Sequence, residues 1–268
     1  MDSELHSEYP LSEDQVLEFQ RSGFIHLRNV LSANTIREYE ESITDYVWKH
    51  NPNRDQHIRD RSTYEQAFIQ VVNIWSDSEK VKELVISRRL ARIVTRLLGV
   101  SSVRLYHDQA LFKEPGGGLT PWHADQYYWP LSSNYTCTAW IPLQATPSEM
   151  GPLSFSKGSH LFEGGRDLVI GDESETFLNN ELEKSGFEHI SNGYDLGDVS
   201  FHYGWTYHRA GPNETEKMRK AMTIIYMDEK MRVSKSSRAE HVADQRAFIP
   251  DRLPGDPADT ALNPCLYP

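Results

Sequence analysis

Pro121-Trp122-His123-Ala124-Asp125 sets an imidazole and a carboxylate two residues apart, and Tyr207-His208-Arg209 supplies a second imidazole much later in the chain. Two imidazoles and one carboxylate form the donor set that holds a non-haem Fe(II) on one face. The opposite face stays open for substrate and dioxygen. On a strand, residues i and i+2 share a face. His123 and Asp125 are therefore expected to grip one ion together, with His208 completing the set from another strand. A His-x-Asp triplet alone is weak, because such triplets arise by chance. His202 is the main rival to His208: it lies earlier on the same predicted strand, at an even spacing that gives it the same facing. His107 and His160 read as structural, the latter in the turn Lys157-Gly158-Ser159-His160.

Arg219 favours His208 over its rival. A dicarboxylic 2-oxoacid that chelates iron through its 2-oxo and C1 carboxylate groups leaves a distal carboxylate to be bound. A guanidinium, forked and always charged, pairs with such a group bidentately. By itself Arg219 would be a surface residue in Lys217-Met218-Arg219-Lys220. Its place just before the apolar run 222–227 predicts that it faces back into the interior.

Those residues need elements to position them. Ser12-Glu13-Asp14-Gln15 has the form of a capping box, opening a helix that Gly23 stops. Ser32 caps a longer helix in which Ile36, Tyr39, Ile43, Tyr46 and Val47 recur at helical spacing. Leu90, Ile93, Val94, Leu97 and Leu98 mark a third, ended by Gly99. Residues 1–99 thus read as largely helical. The period then changes to two. Strands are predicted over 103–112, 135–143, 153–155, 198–210 and 222–227. Pro115-Gly116-Gly117-Gly118 reads as a hairpin connection; no Gly-Lys-Ser/Thr follows it, so it is not a phosphate loop. An acidic stretch over 163–195 resembles an insertion, and 231–268 a C-terminal extension. The fold class expected is mainly β with flanking helices, a jelly-roll core over 100–230 within one domain spanning 1–268.

Composition narrows the partners. Against 39 acidic residues stand 28 Lys and Arg, a net charge of -11, a field that repels nucleic acid and anionic membranes. The sign-alternating run 54–61 reads as a solvated loop. No stretch of about 18 apolar residues predicts a membrane span, and two cysteines give no disulfide framework. Met1-Asp2-Ser3-Glu4 lacks the plan of a signal peptide. A cytoplasmic enzyme acting on a small molecule is expected, with monomer and homodimer both open.

Further motifs, in order, carry a resemblance over residues 13–228. They are Gln15 with Ser22-Gly23-Phe24, Trp122-His123-Ala124-Asp125-Gln126, and Thr138-Ala139-Trp140-Ile141-Pro142-Leu143. Met150-Gly151-Pro152-Leu153 leads to Gly158-Ser159-His160, and Gly197-Asp198 precedes His208, Asn213 and Arg219. The chain resembles the phytanoyl-CoA dioxygenase family of Fe(II)/2-oxoglutarate oxygenases. The resemblance implies a double-stranded β-helix (cupin-like jelly roll) and His123, Asp125 and His208 as iron ligands. It further implies that Arg219 binds the distal carboxylate of 2-oxoglutarate and that Trp140 lines the co-substrate pocket. Two positions depart from the pattern. Ala210 stands where many relatives have a serine assisting the arginine, and Gln70 where some have a lysine reaching the co-substrate. Halogenating relatives replace the carboxylate ligand with a small residue, so Asp125 implies oxidation without halogenation.

The oxidation expected is hydroxylation, or another oxidation, of an unactivated C–H bond with release of succinate and carbon dioxide. Tyr127, Tyr128 and Trp129, with Trp75 and Trp205, are candidate substrate walls, although clustered aromatics are more often core. Residues 51–62 and the acidic insertion are candidate lids. Two alternatives stand beside this reading: a jelly-roll metalloenzyme independent of 2-oxoglutarate, and a non-catalytic small-molecule-binding member of the fold.

Overall fold

The computed structural model describes residues 4–267, apart from the side chains of Thr63 and Tyr64. Helix α1 (Glu13–Ser22) begins with the expected box: Ser12 Oγ accepts from Gln15 N and Ser12 N donates to Gln15 Oε1. Gly23 ends it at φ 81°, a left-handed conformation that suits glycine. Strand β1 (Phe24–Leu27) and the long α2 (Ala33–His50) follow. Then come α3 (Thr63–Ala67), β2 (Ile69–Val72), α4 (Ile74–Asp77), α5 (Glu79–Val85) and α6 (Arg88–Leu98). The largely helical N-terminal part therefore also lends two short strands to the barrel.

The β-core runs β3 (Val103–Lys113), β4 (Thr120–His123), β5 (Thr136–Pro142), β6 (Leu153–Ser156) and β7 (His189–Ser191). It continues with β8 (Val199–Tyr203), β9 (His208–Ala210) and β10 (Arg219–Asp228). Within the acidic insertion lies α7 (Asp172–Lys184), and the C-terminal part contributes α8 (Ala239–Phe248) and β11 (Cys265–Tyr267). The strands form two antiparallel sheets, the jelly roll the sequence predicts. One is ordered β1-β8-β5-β10-β3-β11, with β2 also on the free edge of β3; the other is ordered β4-β9-β6-β7.

Period-two alternation then sorts every strand of the larger sheet into an outer and an inner face. Cys137, Ala139 and Ile141 of β5, Phe201 of β8, and Met222 and Ile224 of β10 face outward. There they pack on Phe19, Ile36, Tyr39, Ile43, Leu90, Val94 and Leu97 of the helices. Burying such an aliphatic side chain contributes roughly 1.5–3 kcal/mol, so this layer fixes the sheet against the helices. Thr138 and Trp140, His202, and Arg219 and Thr223 take the other face. A bulge at Ile225/Tyr226 shifts the pairing with β3 past Tyr106. Its effect is to reverse the phase of β3: Val103 and Leu105 join the outer core, as do Ala110 and Phe112, whereas Tyr106 and His107 both turn inward.

Two expected elements differ. The strand predicted over 198–210 is two strands, β8 in the larger sheet and β9 in the smaller, joined by the turn through Gly204 and Trp205. The glycine run 116–118 likewise links β3 to β4 across the sheets and is no hairpin.

Candidate metal centre and its cavity

His123 ends β4 and lies opposite His208 of β9 in the strand register. Ala124 continues extended at φ -124°, ψ 129°, and Asp125 then opens a single 3-10 turn, Asp125–Tyr128. The alternation predicted for an intact strand therefore survives through Ala124, but Asp125 sits on a turn. The result brings one donor atom each of His123, Asp125 and His208 within 4.8 Å of one another. His123 Nε2 and His208 Nε2 lie 3.7 and 3.5 Å from Asp125 Oδ1.

Each imidazole is aimed by its other nitrogen. His123 Nδ1 donates to Pro121 O at 2.8 Å, and His208 Nδ1 donates to Thr206 O at 2.9 Å. Both Nε2 lone pairs are thereby directed at the shared point, the arrangement metal-binding histidines require. Burial lowers the pKa of both rings, which favours the neutral form that binds a metal. Burial opposes the charge of Asp125 as well, yet His208, His202 and His123 outweigh it and hold that carboxyl well below its usual range. Asp125 Oδ2 accepts from Thr138 Oγ1 at 3.0 Å and from His202 Nε2 at 3.2 Å. His202 thus faces the carboxylate oxygen turned away from the two imidazoles. It comes from a different strand and orients the carboxylate.

The triad lies in a cavity of about 600 Å3 lined from both sheets. At its inner end is Arg219, the first residue of β10 and 2% exposed. Its Nη1 donates to Leu111 O at 3.3 Å, its guanidinium lies 5.6 Å from the centre of the Trp140 ring, and its Nε has no partner. Burial pushes its pKa down to about 10, so it stays charged at neutral pH. Among the described residues Arg219 has no carboxylate partner, and a buried, incompletely bonded guanidinium fits an acidic ligand. Ala210 lines the same end; Thr120, its cross-strand neighbour, puts a hydroxyl there that the sequence reading missed. Thr120 Oγ1 accepts from the buried Lys113 Nζ at 3.2 Å. Gln70 is also in the wall, donating from Nε2 to Gln109 Oε1 at 2.5 Å. The donor set and the orphaned guanidinium together fit an iron ion and a 2-oxoacid.

Of the aromatic candidates, Tyr128 and Trp129 line the cavity and Tyr127, Trp205 and Trp75 do not. Tyr127 lies under the guanidinium of Arg238, and Trp205 donates from Nε1 to Asn134 and stacks under Arg166. Trp75 is core. Of the candidate lids, only the insertion reaches the cavity, through Ile170, whose N–H donates to Tyr128 Oη at 3.0 Å. Residues 51–62 stay outside it; Arg61, expected in a solvated loop, is buried and paired with Glu114. His107, expected to be structural, lines the cavity. Thr138 was reachable by counting back two from Trp140, since residues i and i+2 share a face.

This chain is similar to several enzymes. A probable alpha-ketoglutarate-dependent hypophosphite dioxygenase of Stutzerimonas stutzeri is 25% identical over 154 residues, 55% of this chain and about half (53%) of that protein. A methylphosphonate hydroxylase of Gimesia maris is 23% identical over 240 residues, 88% of this chain and 87% of that one. The structure of SnoK, a non-heme alpha ketoglutarate dependent carbocyclase from nogalamycin biosynthesis, superposes with a TM-score of 0.77 at 25% identity over 96% of both chains. The epimerase SnoN, solved with Fe3+, alpha ketoglutarate and nogalamycin RO, shares the fold, with a TM-score of 0.74 at 24% identity over 95% of this chain and 98% of that one. The family model described as phytanoyl-CoA dioxygenase (PhyH) matches residues 19–221. Together with the triad's setting, that match means that the chain belongs to the phytanoyl-CoA dioxygenase family of iron- and 2-oxoglutarate-dependent enzymes.

Proposed function

We propose that this protein is a cytoplasmic dioxygenase that hydroxylates, or otherwise oxidises, an unactivated C–H bond of a small molecule, consuming 2-oxoglutarate and releasing succinate and carbon dioxide. One observation carries the reading. Two imidazoles and a carboxylate converge on one side of a cavity whose inner end holds Arg219 without an acidic partner.

His123, Asp125 and His208 would hold Fe(II) as a three-donor face, leaving the cavity side for exogenous groups. Arg219 would pair with the distal carboxylate of 2-oxoglutarate, backed by Trp140 and by the hydroxyl of Thr120. When bound, the iron and 2-oxoglutarate supply the oxidising power that no side chain has. The protein's own part is positioning and exclusion of water. Pro121 O and Thr206 O fix the two imidazoles, and Thr138 and His202 fix the carboxylate. Tyr128, Trp129 and Ile170 supply apolar wall around the place where substrate would meet the metal. With Asp125 in the carboxylate position, the third protein donor is kept, which supports oxidation without halogenation.

The test incubates anaerobically purified, iron-loaded protein with 2-oxoglutarate, oxygen and a panel of metabolites, and reads succinate and oxidised product. Product formed without succinate would instead favour an oxygenase independent of 2-oxoglutarate.

A further inference from the structure

The cavity is also lined by α8, which packs on the turn carrying Asp125 (His241 Nε2 donates to Tyr127 O at 2.8 Å) and follows the residues matched by the family model. Glu240, Ala243, Asp244 and Ala247 all line it. Spaced i, i+3, i+4 and i+7, they form one face of the helix. The two alanines leave room, and the two carboxyl groups make that face acidic; burial pushes the Asp244 pKa up to about 7, and a cation bound beside it would favour its ionised form. Among the described residues neither Glu240 nor Asp244 has an ion-pair partner; Asp244 accepts only from Tyr106 Oη. Arg219, at the inner end, is the one Lys or Arg among the described lining residues.

His107 adds a second, independent sign of a ligand. The β3 bulge turns it inward, where Phe248 of α8 stacks on it with ring centroids 3.9 Å apart. It is 5% exposed, its Nδ1 donates to Asp108 O at 3.4 Å, and its Nε2 has no hydrogen-bond partner among the described residues. Burial pushes its pKa down to about 4, so the ring is neutral and Nε2 offers a lone pair. An imidazole lone pair and two carboxylates accept hydrogen bonds, and the carboxylates also favour positive charge.

We infer that the substrate carries a protonated amine, held at the α8 end of the cavity by Glu240 and Asp244 with His107 Nε2 as a further acceptor. The inference rests on the cavity being the oxygenase site. It sets this chain apart from relatives named for hypophosphite and methylphosphonate, whose anionic substrates this face would repel. Substrate charge is thus selected by a helix outside the matched family region, and oxidation by the strands within it.

The test uses the full-length protein and skeleton-matched sets of primary amines, alcohols, carboxylic acids and phosphonates. Binding is read by ligand-observed NMR, with and without Mn(II) and 2-oxoglutarate. Amines are expected to bind at least about tenfold tighter than their matched alcohols and acids. Asp244→Asn and Glu240→Gln should each cut that preference at least about fivefold and leave Mn(II) and 2-oxoglutarate affinity unchanged. Equal binding across the sets, a preference for acids or phosphonates, no bound amine, or a preference untouched by both substitutions would overturn the inference. Failure of the cofactor reading shows separately, as loss of Mn(II) and 2-oxoglutarate binding in the unsubstituted protein, while amine preference is still measured without them.

Discussion

The two oxygens of Asp125 have separate duties. Oδ1 faces both imidazoles, whereas Oδ2 is spoken for by Thr138 and His202. Removing a donor and removing a support should therefore differ in degree. Asp125→Ala and His208→Ala should leave no measurable Co(II) binding at micromolar protein. His202→Ala should weaken it roughly 10- to 100-fold, the usual cost of losing an outer hydrogen-bond partner. Titration followed by visible absorption of Co(II) distinguishes them, and equal loss in His202→Ala and His208→Ala would make His202 a ligand after all. At the other end of the cavity, Arg219→Met should weaken 2-oxoglutarate by about 2 kcal/mol or more, roughly 30-fold in Kd. Arg219→Lys should rescue little, because a point charge cannot reproduce the fork. Isothermal titration of the Mn(II)-loaded protein reads both.

Elements hold these residues through a few turns that admit little change. Gly197 has φ 103°, and a Cβ there would meet Leu31 O at 2.2 Å. The next residue, Asp198, is 1% exposed, accepts from the N–H groups of Asn29 and Asp195 and pairs with His26 and Arg28. That turn ties β8 to β1 and to the entry of α2. Burial raises the Asp198 pKa, but the four hydrogen bonds outweigh it and the net direction is down. A carboxylate depressed in the folded state stabilises above its unfolded pKa, about 3.9. That stability is lost as pH falls through the folded value. Asp198→Asn should thus cost roughly 2 kcal/mol at pH 7, and the gap to the parent should close below about pH 4. Urea unfolding at several pH values checks it; a gap constant down to pH 3 would remove charge from the explanation. The same turn shows what could be read in advance. Ser12, Gly23, Ser32 and Gly99 announce helix ends because capping is local chemistry, and the alternation of 135–143 announces β5. β1 and β2 were not legible. Four residues each, they owe their strand form to pairing with β8 and β3, far along the chain. The triad and Arg219 were legible because few chemistries use those types together. Glu240 and Asp244 were not, since their meaning depends on what α8 covers.

At the scale of the molecule, the proposed cofactor site bridges two sheets. His123 and His208 come from the smaller one, Trp140 and Arg219 from the larger, and Asp125 from the turn after β4. Ligands seated there would bind the folded chain and find no assembled site in the unfolded one. Each should then stabilise by mass action, by about 2.7 kcal/mol at a hundredfold excess over its Kd. For a chain of this size that corresponds to roughly 5–10 °C in Tm. The two contributions should also be separable by element. Asp125→Ala should erase the increment from Mn(II), and with it most of that from 2-oxoglutarate, whose chelating end would lack its metal. Arg219→Met should keep the Mn(II) increment and lose the one from 2-oxoglutarate. Scanning calorimetry of the three proteins with each ligand alone and with both decides the matter. A 2-oxoglutarate increment that survives in Arg219→Met would move the distal carboxylate away from the inner end of the cavity, leaving the buried, unpartnered Nε of Arg219 without its ligand.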